Sequence, residues 1–64
     1  MTVNEARELK IGDILTHRFL KTEWVVAEVR LYKSNEARFR HVLKQGWRKY
    51  TFTEKGLHLW VAVK

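Results

Sequence analysis

The stretch EWVVAEVRLYK, residues 23–33, decides how the rest of the chain is read. It carries Trp24, Val25, Val26, Val29, Leu31 and Tyr32 with no glycine or proline between them. Branched and flat side chains of this kind pack well on a pleated surface and are enriched in strands. Leu20-Lys21-Thr22 before it and Ser34-Asn35-Glu36 after it supply turn signals, so Glu23 to Lys33 reads as one long β-strand.

The same punctuation divides the chain on either side. Asp13 to Phe19 reads as a strand before it, and Ala37 to Lys44, Trp47 to Thr53 and Leu57 to Val63 as strands after it. Gln45-Gly46 and Glu54-Lys55-Gly56 form the intervening turns. At the start, Thr2 followed three residues later by Glu5 is a capping-box pattern. Val3, Ala6 and Leu9 then recur at helical spacing, which predicts a short helix over Asn4 to Leu9. Short connections favour antiparallel neighbours. The expected fold is mostly β, a five-stranded antiparallel meander curled into a small barrel behind a short N-terminal helix, with residues 1–64 forming a single domain.

Alternation assigns faces to each strand. Val25, Ala27, Val29 and Leu31 are expected in the core, as are Ala37, Phe39, His41 and Leu43, then Tyr50 and Phe52, then Leu57, Leu59, Val61 and Val63. The opposite faces collect Trp24, Arg30, Tyr32, Arg38, Arg40, Lys44, Trp47, Lys49, Trp60 and Lys64. All three tryptophans fall there, beside most of the cations.

Charge is concentrated in the same half. Residues 1–33 hold six basic and five acidic side chains, whereas residues 34–64 hold seven basic and two acidic ones, within a net charge of +6. A positive field gathers anionic partners. Lys and Arg neutralise phosphates, and flat rings stack on bases. The expected function is therefore non-catalytic binding of DNA or RNA. Arg38, Arg40, Lys44 and Lys49 would contact phosphates, and Trp47 and Trp60 would stack. Trp24, Arg30 and Tyr32 would extend the surface. The alternative is a protein-interaction module docking on an acidic surface, because interface cores are also rich in Trp, Tyr and Arg. A further alternative buries Trp24 and Trp60 in a second cluster under the N-terminal helix. An apolar last strand at a sheet edge leaves a homodimer open.

No recognisable chemistry competes with binding. His17, His41 and His58 lie far apart, and no pair has metal-ligand spacing. The three glycines sit at turns and form no phosphate loop. The expectation is no enzyme, no cofactor and no metal. There is no cysteine, which suits a cytoplasmic setting, and no apolar run of the roughly 20 residues needed to span a membrane. Met1 to Lys10 lacks the apolar stretch of a signal peptide.

Leu9-Lys10-Ile11-Gly12-Asp13-Ile14-Leu15 resembles the opening of many SH3-like small barrels, where a hydrophobic run enters the first strand through Gly-Asp. Trp24-Val25-Val26-Ala27-Glu28-Val29 is similar to the second strand of such domains. The resemblance covers the first half of the chain. It implies a small barrel whose relatives bind nucleic acid, peptides or proteins. Compact basic chains of this size also look like small phage or prophage accessory proteins, which implies a regulator or inhibitor of a larger protein.

Overall fold

A computed structural model describes residues 1–63; Lys64 lies outside the described residues. Helix α1 covers Val3–Arg7. Strands follow at Ile14–His17 (β1), Glu23–Glu28 (β2), Arg40–Gln45 (β3) and Arg48–Thr53 (β4). A 3-10 helix over Glu54–Leu59 then leads into β5, Trp60–Val63. The strands form one antiparallel sheet in the order β4-β3-β2-β1-β5, curled into a half-barrel. The five antiparallel strands and the short N-terminal helix expected from the sequence are present; the meander holds for β1 to β4, whereas β5 crosses over to pair with β1 instead of β4.

The capping box forms as read. The Thr2 hydroxyl accepts from the Glu5 N–H at 3.1 Å, and the Glu5 carboxylate accepts from the Thr2 N–H at 3.0 Å. Reciprocal capping satisfies two N–H groups that a helix start leaves without partners. This allows a helix of one turn to hold Ala6 and Leu9 against the core.

Two of the expected strands are cut short most, one at its end and one at its start, each for a local reason. The segment Glu23–Lys33 stops being a strand at Glu28, after the pairing with β3 shifts register between Val26 and Glu28. A bulge of this kind bends a strand and strengthens its twist. Beyond it only an isolated bridge, Leu31 to Phe39, continues the pairing. The segment Leu57–Val63 is a strand only from Trp60, because residues 54–59 form the 3-10 helix.

Those changes come with the main correction. The faces expected of β2 and β5 are reversed. Trp24, Val26 and Trp60 are buried, whereas Val25, Val61 and Val63 are exposed on the other side. Trp24 pairs with Leu15, and Val26 with Leu43, so core residues lie opposite core residues. Volume explains the choice. A 64-residue half-barrel has few positions with which to fill its interior, and a tryptophan buries about 150–250 Å², far more than a valine. The core is Leu15, Trp24, Val26, Phe39, Leu43, Phe52 and Trp60, closed by Ala6 and Leu9. Of the expected core residues in the third segment, Phe39, just before β3, and His41 and Leu43 on it are buried, whereas Ala37 is exposed.

His41 is the one buried polar side chain among the described residues. Its Nε2 lies 2.8 Å from the Ala6 carbonyl, and the Arg30 N–H donates to Nδ1 at 3.4 Å. The neutral ring with its proton on Nε2 serves both partners. It ties α1 and the start of the β2–β3 connection to the sheet. Burial lowers its pKa, and the Arg7 charge adds to this; hydrogen bonds with the backbone of Ala6 and Arg40 act in the opposite direction. A folded pKa below the unfolded value of about 6.5 means that stability is held above that pH and lost as pH falls. Thermal denaturation should therefore give a lower Tm at pH 5 than at pH 7.5. His41→Gln should flatten the difference, and an unchanged pH dependence in that variant would show that another group causes it.

Candidate nucleic-acid interface

The convex face of the sheet is divided into two halves. Strand registers place Val63, Ile14, Val25, Lys44 and Lys49 in one cross-strand row through all five strands. The row is apolar on β5, β1 and β2, and cationic on β3 and β4. Ile14, Val25, Val61 and Val63 are exposed on the apolar half. On the other half Arg40, Lys44 and Lys49 point outward because they alternate with His41, Leu43 and, across the hairpin, Tyr50 and Phe52.

Lys44 stands directly opposite Lys49. Like charges in that position repel and weaken the pair. Among the described residues neither lysine has an ion-pair partner; the one recorded salt bridge joins Arg38 to Glu54 at 3.4 Å. Further along β3, away from the β3–β4 turn, Glu28, Arg30, Arg40 and Val42 line a shallow groove of about 240 Å³. Arg40 and Lys44 are four positions apart, about 13 Å at the rise of a strand. Cationic groups thus follow the strand direction as a track.

The track ends at the β3–β4 turn. Gly46 has φ +62° and is followed by Trp47, the φ pattern of a two-residue II′ hairpin with glycine first. This tight turn leaves the Trp47 ring nothing to pack into, and the residue is 89% exposed. The Arg48 guanidinium lies 5.8 Å from the centre of the ring.

Of the residues expected to form a site, the structure brings Lys44, Lys49 and Trp47 together near the β3–β4 turn, with Arg40 and Arg30 beside each other toward the other end of β3. Trp24 and Trp60 do not join them. Their rings meet edge to face at 6.0 Å inside the core, with Tyr50 and Phe52 packed against Trp60. Trp24 is further held by a hydrogen bond from its indole N–H to Thr22 at 3.0 Å. Arg38 and Tyr32 are also set apart, in the β2–β3 connection at the opposite end of the sheet from Trp47. There the Arg38 guanidinium sits 5.0 Å over the Tyr32 ring and reaches Glu54.

Sequence reasoning left Arg48 and, in the β1–β2 turn, Arg18 and Phe19 out of the site. Phe19 and Leu20 are 66% and 68% exposed in that turn, with Arg18 beside Phe19. The local signal was present as an aromatic next to an arginine at a turn, in both Arg18-Phe19 and Trp47-Arg48.

Among the described residues, no group of three or more His, Asp or Glu side chains is arranged to hold a metal ion. No helix is long and apolar enough to cross a membrane. No known family profile, curated protein or solved structure shows a significant match to the chain.

The tryptophans differ enough in exposure to be separated in solution. Trp47→Phe should remove the red-shifted, acrylamide-quenchable part of the emission and leave a blue-shifted remainder from Trp24 and Trp60. Trp60→Ala should cost about 3–5 kcal/mol, enough to unfold much of a domain this small, as read by circular dichroism.

Proposed function

We propose that the chain is a non-catalytic nucleic-acid-binding module with an SH3-like barrel fold, working through the convex face of β3 and β4 and the turn between them. The observation that carries this reading is the Lys44–Lys49 pair, two lysines opposed across a hairpin with no acid among the described residues to neutralise them. An arrangement that costs stability in the free protein becomes favourable when an anion lies between the charges. A phosphodiester backbone supplies one anion after another, as a linear track of Arg40, Lys44 and Lys49 requires. Trp47 would offer a ring to a base at the end of the track. The strand order and the 3-10 helix between β4 and β5 support the SH3-like assignment, and the lack of cysteine suits a cytoplasmic setting.

The apolar half of the same face supports a second contact, with another copy of the chain. Strand β5 is an edge strand with no charged residue among Trp60–Val63, and Val61 and Val63 continue the Ile14–Val25 patch up to that edge. The other edge, β4, carries Arg48 and Lys49, the kind of charge that discourages edge pairing. Antiparallel pairing of β5 with its own copy would join the two patches.

Binding of a labelled oligonucleotide tests the main reading. If the protein engages about four phosphates of a single strand, log K should fall with log salt with a slope near −3. Lys44→Ala and Lys49→Ala should each reduce that slope by about 0.7. Lys49→Glu separates function from stability. It should raise Tm by up to about 5 °C through the new opposite-charge pair while weakening binding. A salt-independent affinity, or binding unaffected by Lys49→Glu, would contradict the proposal.

A further inference from the structure

The two hairpins β1–β2 and β3–β4 turn at the same end of the sheet. Gln45 at the end of β3 donates from its side chain to the Glu23 carbonyl at the start of β2, at 3.1 Å, which sets the two turns side by side. Their axes are two strand spacings apart, about 10 Å.

Both turns present the same pair of side chains. In one, the Arg18 guanidinium lies 5.9 Å from the centre of the Phe19 ring; in the other, Arg48 lies 5.8 Å from that of Trp47. Both rings are largely exposed. The β1–β2 turn is also built to hold its shape. The N–H groups of Phe19 and Leu20 both donate to His17 Nδ1, at 3.3 and 3.1 Å, and the His17 N–H donates to the Thr22 carbonyl at 2.8 Å. Lys21 takes a left-handed φ of +59° to complete the turn. A non-glycine residue held in that region costs about 1 kcal/mol or more, and the surrounding bonds offset it. A ring on an ordered turn loses little freedom when a ligand stacks on it.

We infer, on the basis of the nucleic-acid reading above, that Phe19 and Trp47 form a two-platform clamp for an unpaired strand, each ring stacking on its own base while Arg18 and Arg48 contact the adjacent phosphates. In a duplex the base faces are already covered by their neighbours, so exposed rings gain nothing from them. In a single strand they are open, and each base–ring stack contributes substantially to affinity. The spacing of about 10 Å between the hairpin axes corresponds to roughly three nucleotides of a stacked strand at ~3.4 Å each. The clamp thus grips two bases across a short gap, and the cationic track carries the strand onward from Trp47. An anionic lipid surface would meet exposed rings at the turns but not cations that run away from them toward Arg40.

The test is fluorescence anisotropy with labelled oligothymidylate, oligouridylate and a blunt-ended duplex at low salt. Vesicles rich in phosphatidylserine serve as a separate arm. The expected result is binding of one or both single strands at least about tenfold tighter than the duplex. Phe19→Ala and Trp47→Ala should each weaken single-strand binding by about tenfold and leave duplex binding nearly unchanged. Both side chains are exposed, so the variants should keep the wild-type circular dichroism; Phe19→Trp should retain binding. Equal affinity for duplex and single strand, or single-strand binding that Phe19→Ala leaves intact, overturns the clamp and leaves the track standing. Absence of binding to every oligonucleotide, with or without binding to vesicles, overturns both.

Discussion

The packing of Trp60 is the constraint on which the rest of this structure depends. β4 and β5 are the two edges of the sheet and share no ladder. Trp60, the first residue of β5, lies 5.3 Å from Tyr50 and 6.0 Å from Phe52 on β4, measured between ring centres. It also meets His17 on β1 at 5.1 Å and Trp24 on β2 at 6.0 Å. One side chain therefore gathers four strands, and the sheet curls because its edges are drawn toward the same ring. Aromatic pairs of this geometry contribute about 0.5–1.5 kcal/mol each beyond the area they bury. The 3-10 helix carries the chain from the end of β4 to Trp60 and places Gly56 below it, where an added Cβ would come within 4.0 Å of the indole nitrogen.

Curling the sheet in this way separates the roles of its two faces. The concave face receives nearly all the large side chains, which leaves the convex face with valines, an isoleucine, threonines, Glu28 and cations. Because β1 to β4 form a simple meander, the β1–β2 and β3–β4 turns are also forced to one end. The helix and the β2–β3 connection take the other end, tied together by His41 and by Arg7, which donates to the Arg38 carbonyl at 2.7 Å. The proposed site thus uses side chains of β3 and β4 that point away from the core. This explains why Arg38 and Tyr32, which brace the connection, are set apart from Lys44, Lys49 and Trp47.

The sequence showed the fold more clearly than the site. The turns joining β1 to β4 and the capping box were legible because Gly46, Ser34-Asn35 and Thr2–Glu5 act locally, whereas the crossover that brings β5 beside β1 was not. The phase of β3 was legible as well, since Arg40 and Lys44 flank His41, Val42 and Leu43 and leave one face for solvent. The phases of β2 and β5 were not. Trp24-Val25-Val26-Ala27 and Trp60-Val61-Ala62-Val63 are apolar on both faces, so alternation carries no preference, and burial is decided by which side chain fills the interior. The spacing of Leu57 and Leu59 suits a strand as well as the turn of 3-10 helix that forms there. With two tryptophans moved inward, the candidate site contracts to Trp47 and the β3–β4 cations, and Phe19 enters through a placement that only the topology shows.

The most direct test of the central claim is a ¹H–¹⁵N correlation spectrum of the protein titrated with oligothymidylate at low salt. The account predicts shifts confined to Arg18–Leu20 and Arg40–Lys49, with the indole signal of Trp47 moving while those of Trp24 and Trp60 stay in place. Shifts centred instead on Ile14, Val25 and Val61, or a spectrum that does not change, would contradict it.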